Sequence, residues 1–263
     1  MIQTEIRTAV LIGAGNLGWH LGHVLNEKGI RIVQVFSQSE PSGKELAALF
    51  HADFSTDLKR LAETAGIIII AVPDINITDV IGRTDFRNNL VVHTAGSINM
   101  DVFKGKAINF GVFYPLMTFT RKKTVDFASV PLLIEANSKE NTEKLGHLAA
   151  MLSKEVRTVT SEQRKIIHLA AVIASNFSNH MYALAEALLA QEGIPFELLK
   201  PLIRETAEKI NLLSPGEAQT GPAVRKDSMT MEAHLKLLAD DPLIAELYRQ
   251  ISKSIITFAV KES

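Results

Sequence analysis

The chain has 263 residues, of which 46% are hydrophobic and 22% charged, with 28 Lys+Arg against 29 Asp+Glu for a formal net charge of −1. At about 150 residues per domain this length predicts two domains, the second smaller, with ample apolar material for a core and no disordered character. The even charge balance excludes the basic footprint of nucleic-acid binding, and the absence of cysteine excludes disulfides, thiolate catalysis and cysteine-ligated metal centres; no metal site is expected.

The N-terminal residues carry no basic segment followed by a long apolar run and a cleavage site, and the apolar run from Ile67 to Pro73 is shorter than the roughly 20 residues a bilayer requires. The expectation is a cytoplasmic protein with no membrane partner. Residues 8–12 are apolar and β-rich and break at Gly13-Ala14-Gly15. Leu17, Leu21, Val24 and Leu25 recur at helical spacing over 16–28, and Gly29 stops that helix. A strand follows at 30–36, helices at 42–50 and 57–63, and at 66–72 a continuous apolar strand of the kind buried on both faces. Residues 75–81 predict a helix, 89–93, 106–111 and 130–135 strands, 139–153 a helix and 156–159 a last strand. Strands alternating with helices describe a mostly parallel, doubly wound α/β sheet. Beyond Thr160 the strand signal ends. Thr160 with Gln163 forms a capping box, opening one long helix over 161–192. Helices at 195–213, 228–239 and 242–260 complete an all-helical region, with a Gly- and Pro-rich loop at 214–227. The predicted domains are 1–157, a dinucleotide-binding Rossmann domain, and 158–263, an all-α domain for substrate and dimerisation.

Gly13-Ala14-Gly15-Asn16-Leu17-Gly18 reads G-x-G-x-x-G between a strand and a helix, the context in which that string binds a dinucleotide. Gly13 permits the tight turn, Gly15 lets the backbone approach a pyrophosphate, and Gly18 lets helix and sheet pack closely. The helix start offers free N–H groups and a positive dipole end. NAD binders usually place an acid at the end of the second strand. Here the positions are Ser37, Gln38 and Ser39, with no acid before Glu40, and Lys44 follows. Hydroxyls there suit a 2′-phosphate, so NADP is the expected cofactor, with NAD the alternative; an ordinary turn and helix cap explains the same residues without a ligand. Two further strand ends, Val72-Pro73 and Thr94-Ala95-Gly96, face the same crevice. His93 is either catalytic or a packing residue.

The long helix carries His168 and then Ser175, Asn176 and Asn179. At about 100° per residue, His168, Val172, Ser175 and Asn179 share a face, with Asn176 some 80° round. These polar groups either hold a substrate carbonyl or imine, or form a hydrogen-bonded core or dimer contact. His180 points elsewhere and reads as structural. Tyr114 is a substrate donor or a rim aromatic. Arg225 offers a fork for an anion or a partner for a structural ion pair, and Asp227 caps the helix that begins at Ser228.

A Rossmann domain, a long polar-marked helix and a helical bundle together resemble the plan of the 6-phosphogluconate and β-hydroxyacid dehydrogenases, pyrroline-5-carboxylate reductase and ketopantoate reductase. Four stretches, Val91-Val92-His93-Thr94-Ala95-Gly96-Ser97, Tyr114-Pro115-Leu116-Met117-Thr118-Phe119, Ala174-Ser175-Asn176-Phe177 and Thr220-Gly221-Pro222-Ala223-Val224-Arg225-Lys226-Asp227, are most similar to a bacterial family of Rossmann-like NADP oxidoreductases with a helical C-terminal domain of unknown function. The resemblance implies a reductase of a small carbonyl or imine, with His168 standing where the β-hydroxyacid dehydrogenases carry lysine and Val172 where they carry asparagine. In that reading His168 gives the proton, Ser175 and Asn176 orient the substrate and Arg225 holds its acidic group. The missing lysine supports an alternative, a nucleotide-binding sensor or scaffold without turnover, and a deazaflavin-dependent oxidoreductase, which shares the fold, is a third reading. Related folds pair through their C-terminal helices, and the long helix is apolar around much of its circumference, so a homodimer is expected.

Overall fold

Four isoleucines in succession, Ile67–Ile70, are fully buried, and alternate members feed two separate cores, Ile67 and Ile69 on one face of a sheet, Ile68 and Ile70 on the other. A strand covered on both sides reads as unbroken apolar sequence for this reason. The computed structural model describes residues 5–62, 65–86 and 88–262. Its strands are β1 (Thr8–Ile12), β2 (Arg31–Phe36), β3 (Asp53–Ser55), β4 (Ile67–Ile70), β5 (Leu90–His93), β6 (Asn109–Pro115), β7 (Leu132–Ala136) and β8 (Val156–Thr158). Its helices are α1 (Asn16–Glu27), α2 (Glu40–Leu49), α3 (Asp74–Arg83), α4 (Lys139–Leu152), α5 (Ser161–Ala171), α6 (Ser178–Gln191), α7 (Lys200–Lys209), α8 (Ser228–Leu237) and α9 (Pro242–Glu262).

The sheet order is β3-β2-β1-β4-β5-β6-β7-β8. Neighbours run parallel except β6 and β7. Leu21 and Leu25 of α1, Leu46 of α2 and Leu145 and Leu148 of α4 pack on one face; Ile77, Val80 and Ile81 of α3 pack on the other. The order reverses between β1 and β4, and a parallel sheet opens a ligand crevice at the carboxyl ends of its strands there. Ile12 pairs with Phe36 and with Ile70, so three strand ends meet at one level. The architecture is the Rossmann-like α/β domain and helical C-terminal region that the sequence predicts.

Several boundaries differ. β3 is three residues long, too short to show alternation. The helix expected at 57–63 is a single 3₁₀ turn, Leu58–Arg60, and Glu63 lies outside the described residues. β6 starts later than expected, because the Phe103 carbonyl takes the N–H groups of Lys106 and Ala107 into a turn; it also runs on to Pro115, which puts Tyr114 inside the strand rather than after it. The helix expected from 195 begins as a 3₁₀ turn, Phe196–Leu199, before α7. The long helix is continuous in path but passes through a π segment, Val172–Phe177, between α5 and α6. A π turn takes more residues than an α turn, so the 100° spacing behind the predicted face does not hold within this segment.

The chain divides into two compact units, Met1–Ala174 and Ser175–Ser263. The first includes α5, which the sequence reading assigned to the helical domain. Glu135 on β7 anchors it, accepting from the Ser161 N–H (2.9 Å), the Ser161 hydroxyl (2.7 Å) and Arg164 Nη1. Arg164 is fully buried, and its Nη2 also donates to the Ile98 carbonyl at 2.5 Å. Removing one partner of a buried pair typically costs about 3–5 kcal/mol, so this contact fixes the helix firmly against the sheet. In the second unit, by contrast, Ala223, Leu238 and Ala245 are the buried hydrophobic residues among those described.

Candidate functional site

Each glycine of the first turn meets a different demand. Gly13 has φ +116°, and a β-carbon there would lie 2.3 Å from the Ala71 carbonyl oxygen. At Gly18 it would lie 2.1 Å from the Gly13 oxygen. Gly15 is different: its φ is −76°, and a β-carbon would meet no atom within 4 Å. The chain's own packing does not require a glycine there. The space it leaves open lies at the start of α1, where Gly15 is the N-cap, no side chain caps the helix and no acid sits in the first turn. Free N–H groups and an unscreened positive helix end suit a phosphate.

A cavity of about 250 Å³ opens beside this turn. Gly13, Ala14, Gly15, Ser37, Gln38, Ser39, Val72 and Pro73 of the sequence-predicted site line it, joined by Ser42, Ala71 and Asn76. Leu17 packs into the core and Gly18 against Gly13, so both support the turn from behind. Thr94 and Ala95 are buried at the end of β5, and the Thr94 hydroxyl donates to the Ile70 carbonyl at 3.1 Å. Lys44, which the sequence offered as a nearby charge, is exposed and paired at 2.5 Å with Glu40 on its own helix; that contact holds the Glu40 carboxyl below its usual range. The residues present fit a dinucleotide with its pyrophosphate at Gly15.

Sequence reasoning singled out residues 114–119 at the end of β6 but missed the contacts that this segment makes with the glycine turn. Asn16 Nδ2 donates to the Phe119 carbonyl at 3.0 Å, and His20 Nε2 lies 3.0 Å from the Thr120 carbonyl. Arg121 donates from Nη2 to the Ala14 carbonyl at 2.6 Å and from Nη1 to Glu45 at 2.8 Å. No local sequence pattern announces contacts between residues about a hundred positions apart.

A second group of polar side chains gathers at the carboxyl ends of β4, β5 and β6. His168, half-buried on α5, makes a 3.0 Å hydrogen bond through Nδ1 with the Tyr114 hydroxyl. Its ring rests on Gly96, where a β-carbon would come within 2.5 Å of the imidazole. Ser97 Oγ donates to Asp74 at 2.5 Å. Burial, and then the charge of Asp74, raise the pKa of Tyr114, while Arg164 opposes the shift. Tyr114 is therefore a protonated donor at neutral pH. Asp74, which closes the predicted strand end Ala71-Val72-Pro73-Asp74, belongs to this cluster.

His93 lies fully buried behind them, stacked on Phe103, with Nδ1 accepting from the Ala95 N–H at 3.2 Å. Burial, reinforced by Arg164, lowers its pKa to about 3, with the Asn99 backbone opposing. Its Nε2 has no hydrogen-bond partner of good geometry among the described residues. A neutral, inaccessible ring of this kind is a packing residue. Ser175 and Asn176 lie in the π segment and are exposed, as is His180 on α6. Arg225 is exposed in the 214–227 loop, and Asp227 caps α8 by accepting from the Thr230 N–H at 3.1 Å. These five residues belong to the second unit. There Thr220, Gly221 and Pro222 line an apolar cavity of about 330 Å³ with Met181, Leu188 and Ile251.

Sheet order, glycine turn and cavity define a Rossmann-class dinucleotide-binding architecture. Residues 8–96 match the family model described as NADP oxidoreductase, coenzyme F420-dependent, and residues 130–255 match a domain of unknown function, DUF2520. Among solved structures, a Bacteroides fragilis protein described as a "putative NADP oxidoreductase" is 44% identical, with 97% of this chain and 99% of that one covered and a TM-score of 0.88. An imine reductase of Myxococcus stipitatus in complex with NADP⁺ is 18% identical over 97% of this chain and 93% of its own, with a TM-score of 0.69. A reductive aminase of Aspergillus terreus is 12% identical over 98% and 95%, with a TM-score of 0.72. The last two share the fold. A search of curated proteins finds no match. The chain belongs to the family of Rossmann-like NADP oxidoreductases with a DUF2520 C-terminal domain. Among the described residues no helix is long and apolar enough to cross a membrane.

Proposed function

We propose that this chain is an NADP-dependent reductase of a small carbonyl or imine compound. The observation that carries the reading is the hydrogen bond between Tyr114 and His168, seated on Gly96 at the carboxyl edge of the sheet that also bears the open Gly15 turn. When bound, a reduced nicotinamide supplies a hydride to the substrate's carbon. The oxygen or nitrogen left behind needs a proton, and His168 is placed to give it. Tyr114 donating to Nδ1 leaves Nε2 as the nitrogen that carries the ring hydrogen. Tyr114 thus orients the imidazole, and as Nε2 gives up its proton the Tyr114 hydroxyl would pass one to Nδ1 and be reprotonated from solvent, so that neither an imidazolate nor a tyrosinate is left. In this reading Ser175 and Asn176 orient the substrate and Arg225 holds an acidic group on it. The protein works in the cytoplasm as a homodimer joined through its C-terminal helices.

The test is a panel of cyclic imines, ketones and amine–ketone pairs, with NADPH oxidation followed by absorbance. At least one member is turned over, and His168→Ala lowers that turnover by about 10²–10⁴-fold with NADPH affinity nearly unchanged. Full activity in the variant overturns the proton-donor role, and NADPH binding without turnover across the panel turns the account toward a sensor. A second reading, a deazaflavin partner, is favoured by the description of the matched N-terminal model. It predicts NADPH consumption only when oxidised coenzyme F420 is supplied.

A further inference from the structure

The strand-end run Ser37-Gln38-Ser39 brings hydroxyls and an amide but no cation, and Lys44 is committed to Glu40. A phosphate on the adenosine ribose would meet no strong counter-charge from these residues. Arg121 supplies one from far along the chain. One terminal nitrogen is fixed on the Ala14 carbonyl, inside the glycine turn, and the other on Glu45, one turn beyond Ser42 on α2. Ala14 and Ser42 line the same cavity. The guanidinium therefore stands between the end of β1 and the helix that follows β2, the region where a dinucleotide's 2′ position is read.

We propose that Arg121 is the residue that recognises the 2′-phosphate of NADP(H) and sets the preference over NAD(H). This rests on the NADP reading of the cavity. A guanidinium has five N–H donors in a rigid fork, and the two contacts leave three of them for a phosphate. Its partner Glu45 is 59% exposed, so water or an anion can take over that contact at little cost. The segment behind Arg121 is already ordered, since Asn16 and His20 hold the Phe119 and Thr120 carbonyls, and preorganised donors bind an anion without further loss of freedom.

Titration calorimetry on the full chain tests this with wild type, Arg121→Ala, Arg121→Lys and Glu45→Gln against NADPH and NADH, after heat unfolding has established that each variant folds. Arg121→Ala should weaken NADPH binding about 10- to 100-fold, the loss expected for a charged hydrogen bond, and leave NADH within twofold. Arg121→Lys should fall between, keeping the charge without the fork. Glu45→Gln should leave NADPH binding intact or tighter. Equal losses for both dinucleotides, or a loss with Glu45→Gln matching that of Arg121→Ala, would mean that Arg121 merely shapes the turn and overturns the proposal. A wild type that binds neither dinucleotide overturns the cofactor reading and this proposal together. A preference for NADPH that survives Arg121→Ala overturns this proposal alone.

Discussion

At the scale of the residue, the imidazole of His168 and the missing side chain of Gly96 are one feature. The ring sits where an alanine methyl would be, within 2.5 Å of two of its atoms. Gly96→Ala must push His168 off its hydrogen bond with Tyr114, so it should lower kcat at least tenfold, toward the level of His168→Ala. In a His168→Ala background the same methyl has room and should cost nothing further, since contacting residues are non-additive. Four kcat values close this cycle; an equal penalty in both backgrounds contradicts the contact. The glycines of the first turn were legible in the sequence because their constraints are local, a tight turn and a helix start a few residues apart. The partners of His168 and Arg121 were not. Tyr114 lies 54 positions from His168 and Ala14 lies 107 positions from Arg121, distances that only the folded sheet brings to zero. Asn176 and Arg225 were singled out by helical spacing and by matching stretches, and both stand exposed in the second unit.

At the scale of the element, strands buried on both faces and helices with marked ends were readable from periodicity. The capping box at Thr160 and Gln163 and the Asp227 cap both form as the local pattern predicts. Failures came where an element is shorter than one period, as at β3, or where the helix changes its pitch, as at Val172–Phe177. Helix α6 carries a different message. None of its residues is buried, and large apolar side chains stand exposed through the second unit, among them Phe177, Leu198, Leu202, Leu212, Met229 and Phe258. An apolar helical surface of this extent is unfavourable in water and marks an interface. The proposed homodimer covers it. Light scattering at micromolar concentration should give twice the 28.9 kDa chain mass; a monomer contradicts the proposal.

At the scale of the whole molecule, the fold follows from a run of locally consistent signals, while the chemistry depends on loops and strand ends that only the sheet assembles. The claim on which everything else stands is that the opening at Gly15 is reserved for a dinucleotide phosphate. Glycine there is required neither by φ nor by packing, so Gly15→Val should cost the free protein about 1 kcal/mol, the usual penalty for a poor N-cap. The most direct test is the unfolding midpoint of wild type and Gly15→Val with and without NADPH. A ligand at 100 times its Kd stabilises the native state by about 2.7 kcal/mol, so NADPH should raise the wild-type midpoint by several degrees and leave that of Gly15→Val unmoved. An equal rise in both proteins would place the cofactor elsewhere and contradict the account.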